Sequence, residues 1–140
     1  MVGHRFEVFL VHPGGPFWEK KDQGSWSMPK GECAPDEEPL EAARREFKEE
    51  TGFDAPLGPI RTLEPVRQPS GKTIGAWAAE GDFDAAKTVS NSFTMEWPPK
   101  SGREQQFAEV DRAQWFDLET AKTKIIKGQL DFLEQLQKIL

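Results

Sequence analysis

The first third of the chain alternates short apolar runs with turn residues, a pattern that predicts strands. Residues 5–12 (RFEVFLVH) are rich in Phe, Val and Leu, which is typical of a buried strand. The PGGP that follows at 13–16 predicts a turn. FWEKK at 17–21 and WSM at 26–28 predict two short extended pieces on either side of a KDQG turn.

The middle of the chain predicts a strand pair. Residues 60–68 (IRTLEPVRQ) and 73–80 (TIGAWAAE) are two such runs, joined by the turn sequence PSGK. Proline cannot donate a ladder hydrogen bond, so Pro65 indicates that the first strand is an edge strand or is interrupted. A further strand is predicted within 89–97, followed by a loop from Pro98 to Arg103.

The C-terminal part has helical periodicity. AQWF at 113–116 leads into Asp117, a candidate N-cap for the helix that follows. Two helical stretches are predicted there, broken near Gly128. An apolar stripe would pack the last helix onto the body of the protein; its members are Ile126, Leu130, Leu133 and Leu140.

The clearest helix lies between these two regions, over residues 40–51 (LEAARREFKEET). It contains good helix formers and no internal Gly or Pro. Pro39 stands just inside the predicted start and Gly52 just past the predicted end, the usual positions for these residues. One face of this helix carries apolar residues and should face the core; these residues are Leu40, Ala43 and Phe47.

Another face of the same helix carries three carboxylates. Glu46, Glu49 and Glu50 are spaced i, i+3 and i+4, so their side chains lie together. Like charges at this spacing cost a few tenths of a kcal/mol per pair, and such a local conflict is typical of a functional site. Mg²⁺ prefers oxygen ligands such as these. The alternative is a solvated acidic face with ordinary i,i+4 ion pairs, such as Arg45 with Glu49.

The helix belongs to a longer motif, G-x5-E-x7-R-E-U-x-E-E-x-G-U, where U is apolar. This motif resembles the box that defines the Nudix hydrolases, and every fixed position matches. The matching residues are Gly31, Glu37, Arg45, Glu46, Glu49, Glu50 and Gly52, with Phe47 and Phe53 at the apolar positions. The resemblance implies a metal-dependent enzyme that hydrolyses a diphosphate linked to another moiety. It also implies an α+β fold, an α/β sandwich in which a mixed β-sheet packs between helices.

The resemblance assigns roles to the box residues. Glu46, Glu49 and Glu50 would bind Mg²⁺ or Mn²⁺ or act as the base, and the backbone carbonyl at or near Gly31 would complete a metal shell. Arg45 would pair with Glu37 and hold the preceding loop against the helix. Glu37 and Gly52 are therefore structural members of the box, whereas Arg45 is grouped with the catalytic residues.

A later glutamate often assists the metal or the base in this family. Glu104 and Glu109 are the two candidates, and we rank Glu109 ahead because it lies closer to a predicted strand end. A solvated loop carboxylate is the alternative for each of them.

Residues outside the box would determine the substrate. WSMPKG at 26–31 resembles the lead-in of diadenosine polyphosphate and diphosphoinositol-type Nudix enzymes, and the C-terminal segment resembles the tail of small nucleotide-hydrolysing members. Lys30 and Arg67 are candidates for phosphate contacts, Lys30 as a point charge. An aromatic ring could stack on a base, although each ring taken singly is more typical of a core; the rings considered are Phe17, Trp18, Trp77, Phe93 and Trp97.

Composition bounds the remaining possibilities. A chain of 140 residues fits one domain, taken as residues 1–140, and its net charge of −6 argues against nonspecific binding of a nucleic-acid polymer. The sequence shows no apolar run of membrane-spanning length. The single cysteine, Cys33, cannot form an internal disulfide, and without a secretory signal we expect a cytoplasmic protein. The oligomeric state is left open.

These observations predict a divalent-metal-dependent pyrophosphohydrolase. Two substrates fit: a nucleoside triphosphate cleaved to a monophosphate and pyrophosphate, or a dinucleoside polyphosphate cleaved to two nucleotides. The alternatives are a hydrolase of another diphosphate, such as ADP-ribose or a diphosphoinositol polyphosphate, and a non-catalytic nucleotide-binding module that has kept the fold.

Overall fold

A computed structural model of the chain describes residues 6–29, 36–56, 58–67 and 70–139. The described strands are β1 (Glu7–Pro13), β2 (Ile60–Thr62), β3 (Val66–Arg67), β4 (Thr73–Ile74), β5 (Trp77–Ala79), β6 (Ser92–Glu96), β7 (Glu104–Ala108) and β8 (Val110–Asp117). The helices are α1 (Pro39–Thr51), α2 (Leu118–Lys124) and α3 (Leu130–Ile139), with short 3₁₀ turns at Ala85–Lys87 and Lys127–Gln129. None of these helices is long and apolar enough to cross a bilayer.

The strands pair as antiparallel ladders. β1 pairs with β8, β2 with β5, β3 with β4, and β6 with β7. Isolated bridges extend the β structure, antiparallel between Val11 and Ser27 and parallel between Trp26 and Ile125. Helices and mostly antiparallel strands together confirm the predicted α+β class.

The β1–β8 ladder lies at the centre, and its two faces bury different residues because side chains alternate along a strand. Leu10 and Phe116 point to the face covered by α2 and α3, where they pack with Trp26 and Leu133 in one core cluster. His12 is fully buried; its Nδ1 lies 2.8 Å from Asp111 Oδ1 and its Nε2 lies 2.6 Å from the carbonyl of Lys21. These contacts tie the turn after β1 to β8.

The opposite face of the ladder holds α1 through an aromatic cluster. Its members are Phe9, Phe47, Phe53, Phe83 and Trp115. The Phe47 ring centroid lies 5.5 Å from that of Phe83 and 6.3 Å from that of Phe9. Phe9 in turn lies 5.2 Å from Trp115, whose indole N–H donates to the Phe83 carbonyl at 2.7 Å. Rings at these separations are within the range of favourable aromatic pairs. The apolar stripe predicted for α1 therefore faces the core at Phe47.

Local signals set the ends of the helices as predicted. Pro39 begins α1, and Gly52 ends it with φ of 81°, a left-handed conformation that glycine adopts without a Cβ penalty. Asp117 caps α2 by accepting from the Thr120 N–H at 2.7 Å. The C-terminal helices break around Gly128, as predicted, and Leu133 of the stripe is buried. Leu140 lies outside the described residues.

One prediction about the strands was wrong and one was refined. Residues 17–21 do not form an extended piece, because the Trp18 and Lys21 N–H groups make turn hydrogen bonds to carbonyls three residues earlier. Strand β7 (Glu104–Ala108) was not predicted from the sequence; its pairing with β6 fixes it. The predicted strand over 60–68 is interrupted at Leu63–Pro65, in agreement with the position of Pro65.

Candidate functional site

The carboxylates of α1 lie around one guanidinium. Arg45 binds Glu37 through two hydrogen bonds, from Nε at 2.9 Å and from Nη2 at 3.0 Å. Its Nη1 also donates to Glu46 at 2.9 Å and to Glu49 at 3.2 Å. The predicted pairing of Arg45 with Glu37 is therefore present, and so is the i,i+4 pair with Glu49. We call Glu37, Arg45, Glu46 and Glu49 the carboxylate network.

The network is partly shielded from water. The side chains of Glu46 and Glu37 are 16% and 21% exposed, whereas those of Arg45 and Glu49 are 39% and 40% exposed. Burial raises the pKa of Glu46 above its usual value, with a further contribution from the nearby Glu49 charge. The pKa of Arg45 is raised, chiefly by its hydrogen bonds to Glu37 and then to Glu49, so the guanidinium stays protonated. Burial and Glu49 thus disfavour the charged form of Glu46, and Arg45 partly offsets this effect.

The end of α1 is anchored to the segment that precedes β6. The Val89 and Asn91 N–H groups donate to the carbonyls of Thr51 and Glu49, at 2.9 and 2.7 Å. These are C-terminal helix carbonyls that have no partner within the helix. Thr51 is fully buried, and its hydroxyl donates to the Phe47 carbonyl at 2.6 Å. The backbone that carries Glu49 and Glu50 is therefore held at a fixed position.

The same anchor brings Glu109 toward the site. The Asn91 carbonyl accepts from the Glu109 N–H at 2.9 Å, so Asn91 bridges Glu49 and Glu109. Glu104 lies at the other end of β7, paired with Glu96. Asn91 was not singled out from the sequence; the signal available was a Ser-Asn pair, typical of turn residues, before a predicted strand.

The remaining candidates lie elsewhere or cannot be placed. Arg67 is in β3, which neighbours β4 and the turn at Lys127–Gln129, and its side chain is exposed. Gly31 and Lys30 lie outside the described residues. Glu50 has a half-buried side chain at the C-terminal end of α1.

Within residues 6–29, 36–56, 58–67 and 70–139, no three His, Cys, Asp or Glu side chains converge closely enough to enclose a metal ion. Glu46 and Glu49 are instead directed to Arg45. The chemistry of the donors still fits a hard divalent cation, because Glu46, Glu49 and Glu50 offer only oxygen atoms and repel one another.

A cavity of about 940 Å³ lies on another face of α1. Its lining is mostly apolar and includes Leu40, Ala43 and Phe47, the residues of the core-facing stripe. Because these residues point away from the carboxylate network, this cavity is separate from the charged site.

Comparisons with known proteins agree with this geometry. The chain matches the NUDIX domain family over residues 3–136. It is 32% identical over 143 aligned residues to an RNA pyrophosphohydrolase of Bartonella henselae, covering 89% of this chain and 72% of that protein. A shorter match, 45% identical over 51 residues, links it to an RNA pyrophosphohydrolase of Erythrobacter litoralis and covers 35% of this chain and 31% of that protein.

Solved structures share the fold. The NUDIX domain of Shewanella oneidensis NrtR, complexed with ADP ribose, superposes with a TM-score of 0.62 at 21% identity, covering 96% of this chain and 78% of that one. The E. coli ORF135 protein superposes with a TM-score of 0.58 at 23% identity, covering 95% and 81%. At these identities the likeness concerns the fold alone.

Proposed function

The chain belongs to the Nudix family and is a hydrolase of diphosphate linkages, and on this basis we propose that it cleaves nucleoside or dinucleoside polyphosphates with the help of a divalent metal ion. The observation that carries the proposal is the carboxylate network at α1. Its negative charges lie close together and are partly buried, and backbone hydrogen bonds fix the C-terminal end of the helix.

Glu46, Glu49 and Glu50 are the residues that would hold Mg²⁺ or Mn²⁺. When bound, such an ion neutralises phosphate charge, polarises phosphoryl oxygens and lowers the pKa of a bound water. In the reaction, the oxygen of water forms a bond to phosphorus and a carboxylate acting as base takes the proton. The anhydride P–O bond breaks, and the leaving phosphate oxygen carries away the electron pair. Catalysis then depends mainly on positioning and charge.

Arg45 and Glu109 have separate proposed roles. Arg45 is a positioning residue, because its bidentate contact with Glu37 fixes the segment before α1 and its contacts with Glu46 and Glu49 orient those side chains. Glu109, rather than Glu104, is proposed as the additional base or ligand, because its backbone is bonded to Asn91 beside the end of α1.

The comparisons add candidates for the group attached to the diphosphate. The relatives are RNA pyrophosphohydrolases, which favours the 5′-polyphosphate end of RNA as a second substrate. Such an end is a nucleoside polyphosphate extended at its 3′ side, so the same carboxylates would act on it. ADP-ribose is a further candidate because one structural neighbour is complexed with it. The single cysteine supports the proposal of a cytoplasmic location.

A nucleotide panel tests this proposal. The protein would be incubated with Mg²⁺ or Mn²⁺ and each substrate in turn, and the products would be identified. The substrates are di-, tri- and tetraphosphates of adenosine and guanosine, dinucleoside polyphosphates, 5′-triphosphorylated RNA and ADP-ribose. We expect phosphate-chain length to change kcat/KM more than the exchange of adenine for guanine, because binding directed at the phosphates depends on charge and chain length, whereas base discrimination requires polar groups matched to base edges. A larger effect of the base, or ADP-ribose as the best substrate, would overturn the substrate assignment. Full turnover in excess chelator would overturn the metal requirement.

A further inference from the structure

The rings of Phe17 and Trp97 are in contact, Trp18 follows Phe17 in the chain, and the hydrolytic reaction accounts for none of the three. The Phe17 and Trp97 ring centroids are 5.4 Å apart at an interplanar angle of 80°, yet Phe17 remains 60% exposed. Trp18, next in the chain, is 39% exposed. We call Phe17, Trp18 and Trp97 the aromatic ledge. Single exposed apolar residues are common, but a contiguous group marks an interaction surface.

Two glycines place the ledge on the β6–β7 hairpin. The Gly14 N–H donates to the Glu109 carbonyl at 2.9 Å, and a Cβ at Gly14 would collide with the carbonyl of Ala108. Gly15 has φ of 98°, and a Cβ there would lie 3.0 Å from the Phe93 ring. Only glycine allows the turn to lie this close to the hairpin. The PGGP motif therefore fixes the position of Phe17 against Trp97.

Backbone hydrogen bonds and strand β6 connect the proposed site to the ledge. Glu109 is bonded both to Gly14 and to Asn91, and Asn91 is bonded to Glu49 of α1. From Asn91 the chain runs along β6 to Trp97, six residues on, a distance of about 20 Å in an extended strand. That distance exceeds the reach of one nucleoside. A single nucleic-acid strand of several nucleotides can cover it.

The chemistry of the ledge suits unpaired bases. Exposed rings stack on the faces of bases regardless of sequence. The Lys21 Nζ lies 4.9 Å from the Trp18 ring centroid, so a cation that can meet a phosphate stands beside the rings. Lys20 is exposed next to it. Since the chain carries a net charge of −6, its contacts with a strand must rely more on stacking than on charge.

From these contacts we propose that the aromatic ledge binds single-stranded RNA downstream of a 5′-polyphosphate held at the carboxylates of α1. The inference rests on the proposed function in placing the 5′ end, but binding at the ledge itself needs no hydrolysis. The net charge had led us to expect no nucleic-acid polymer as a partner. The proposed contact is instead a specific one that is based on stacking.

The test measures the affinity of the full chain for labelled single-stranded RNA of about eight nucleotides with a 5′-hydroxyl end. This probe has no diphosphate, so the failure of the ledge and the failure of the hydrolase are distinguishable. Phe17→Ala should weaken binding about tenfold, within the range for loss of one stacked base. Phe17→Tyr, which keeps the ring, should restore it.

Phe6→Ala is the matched control, because Phe6 is 45% exposed and lies at the opposite end of β1 from the PGGP turn. It should bind RNA as the unchanged protein does. A dinucleotide should bind at least tenfold more weakly than the longer strand. Three results would each overturn the ledge, whatever the result of the nucleotide panel. They are equal RNA affinities for Phe17→Ala and the unchanged protein, an equal loss of affinity in Phe6→Ala, and no measurable RNA binding by the unchanged chain. If Phe17→Ala loses RNA binding while the unchanged protein hydrolyses no member of the nucleotide panel, the ledge is sustained and the proposed function is overturned.

Discussion

The two faces of α1 are built by opposite means. The inner face packs Phe47 into rings at centroid separations of 5.5 to 6.3 Å, and such contacts stabilise the fold. The outer face gathers carboxylates around Arg45, and burial together with the neighbouring Glu49 charge raises the pKa of Glu46. Substitutions on the inner face should therefore lower mainly the free energy of unfolding, and substitutions on the outer face should lower mainly kcat.

The largest expected effect is on catalysis from the outer face. Glu49→Gln and Glu50→Gln should each lower kcat by at least about 10²-fold, because an amide is a poorer ligand for a hard cation than a carboxylate of similar volume. The melting temperature should stay near that of the unchanged protein. Glu41→Gln, at an exposed position in the first turn of α1, serves as the control and should keep its activity. Near-normal rates in both Gln variants would show that the carboxylates have no part in the reaction.

The inner face should give the reverse result. Phe47→Ala removes the ring that joins α1 to Phe9 and Phe83 and should lower the free energy of unfolding by about 3 kcal/mol. Urea denaturation measures this loss, with Phe47→Leu as a milder comparison. The kcat of the fraction that remains folded should fall far less than in the Glu49 variant. A stable Phe47→Ala protein with a hundredfold lower kcat would contradict the division of the helix into two faces.

Replacing Arg45 should affect both stability and activity. Arg45→Ala should lower the melting temperature, because it removes charged hydrogen bonds to Glu37 from a site that water partly reaches. The loss of stability should be smaller than for a fully buried pair. Activity should fall as well, since Glu46 and Glu49 lose their common partner. Arg45→Lys should recover the charge but not the bidentate geometry. Unchanged melting temperature and unchanged kcat in Arg45→Ala would contradict its positioning role.

The smallest effect concerns a carboxylate remote from α1. Hydrogen bonds from Lys124 and then from Trp26 hold the pKa of Asp22 below its ordinary value of 3.8. A carboxyl with a lower pKa in the folded state stabilises the protein above its unfolded pKa and loses that contribution as pH falls through the folded pKa. Asp22→Asn should therefore flatten the loss of stability below about pH 4 and leave kcat unchanged. An acid-unfolding curve identical to that of the unchanged protein would show that Asp22 does not contribute to the pH dependence of stability.

Features with local causes could be predicted from the sequence. Pro39, Gly52 and Asp117 act through their own backbone preferences, so the ends of α1 and the start of α2 were predicted correctly. The pairing of Arg45 with Glu37 followed from the family resemblance and is present.

Features that depend on distant partners could not be predicted. Gln105 and Gln106 have no strong strand preference, and β7 forms only because β6 lies beside it. Phe17 and Trp18 favour a strand by composition, yet turn hydrogen bonds to Gly15 and Trp18 decide their conformation. The sequence ranked Glu109 ahead of Glu104 as the additional base or ligand, and the backbone bond between Glu109 and Asn91 supports that proposal.

The central claim is that the outer face of α1 holds a divalent cation. Its most direct test is a titration with Mn²⁺, with free Mn²⁺ counted by electron paramagnetic resonance, on the unchanged protein, on Glu41→Gln and on the Glu49→Gln/Glu50→Gln double variant. We expect Mn²⁺ to bind the first two proteins alike and to bind the folded double variant at least tenfold more weakly. Equal Mn²⁺ binding by all three proteins would contradict the claim.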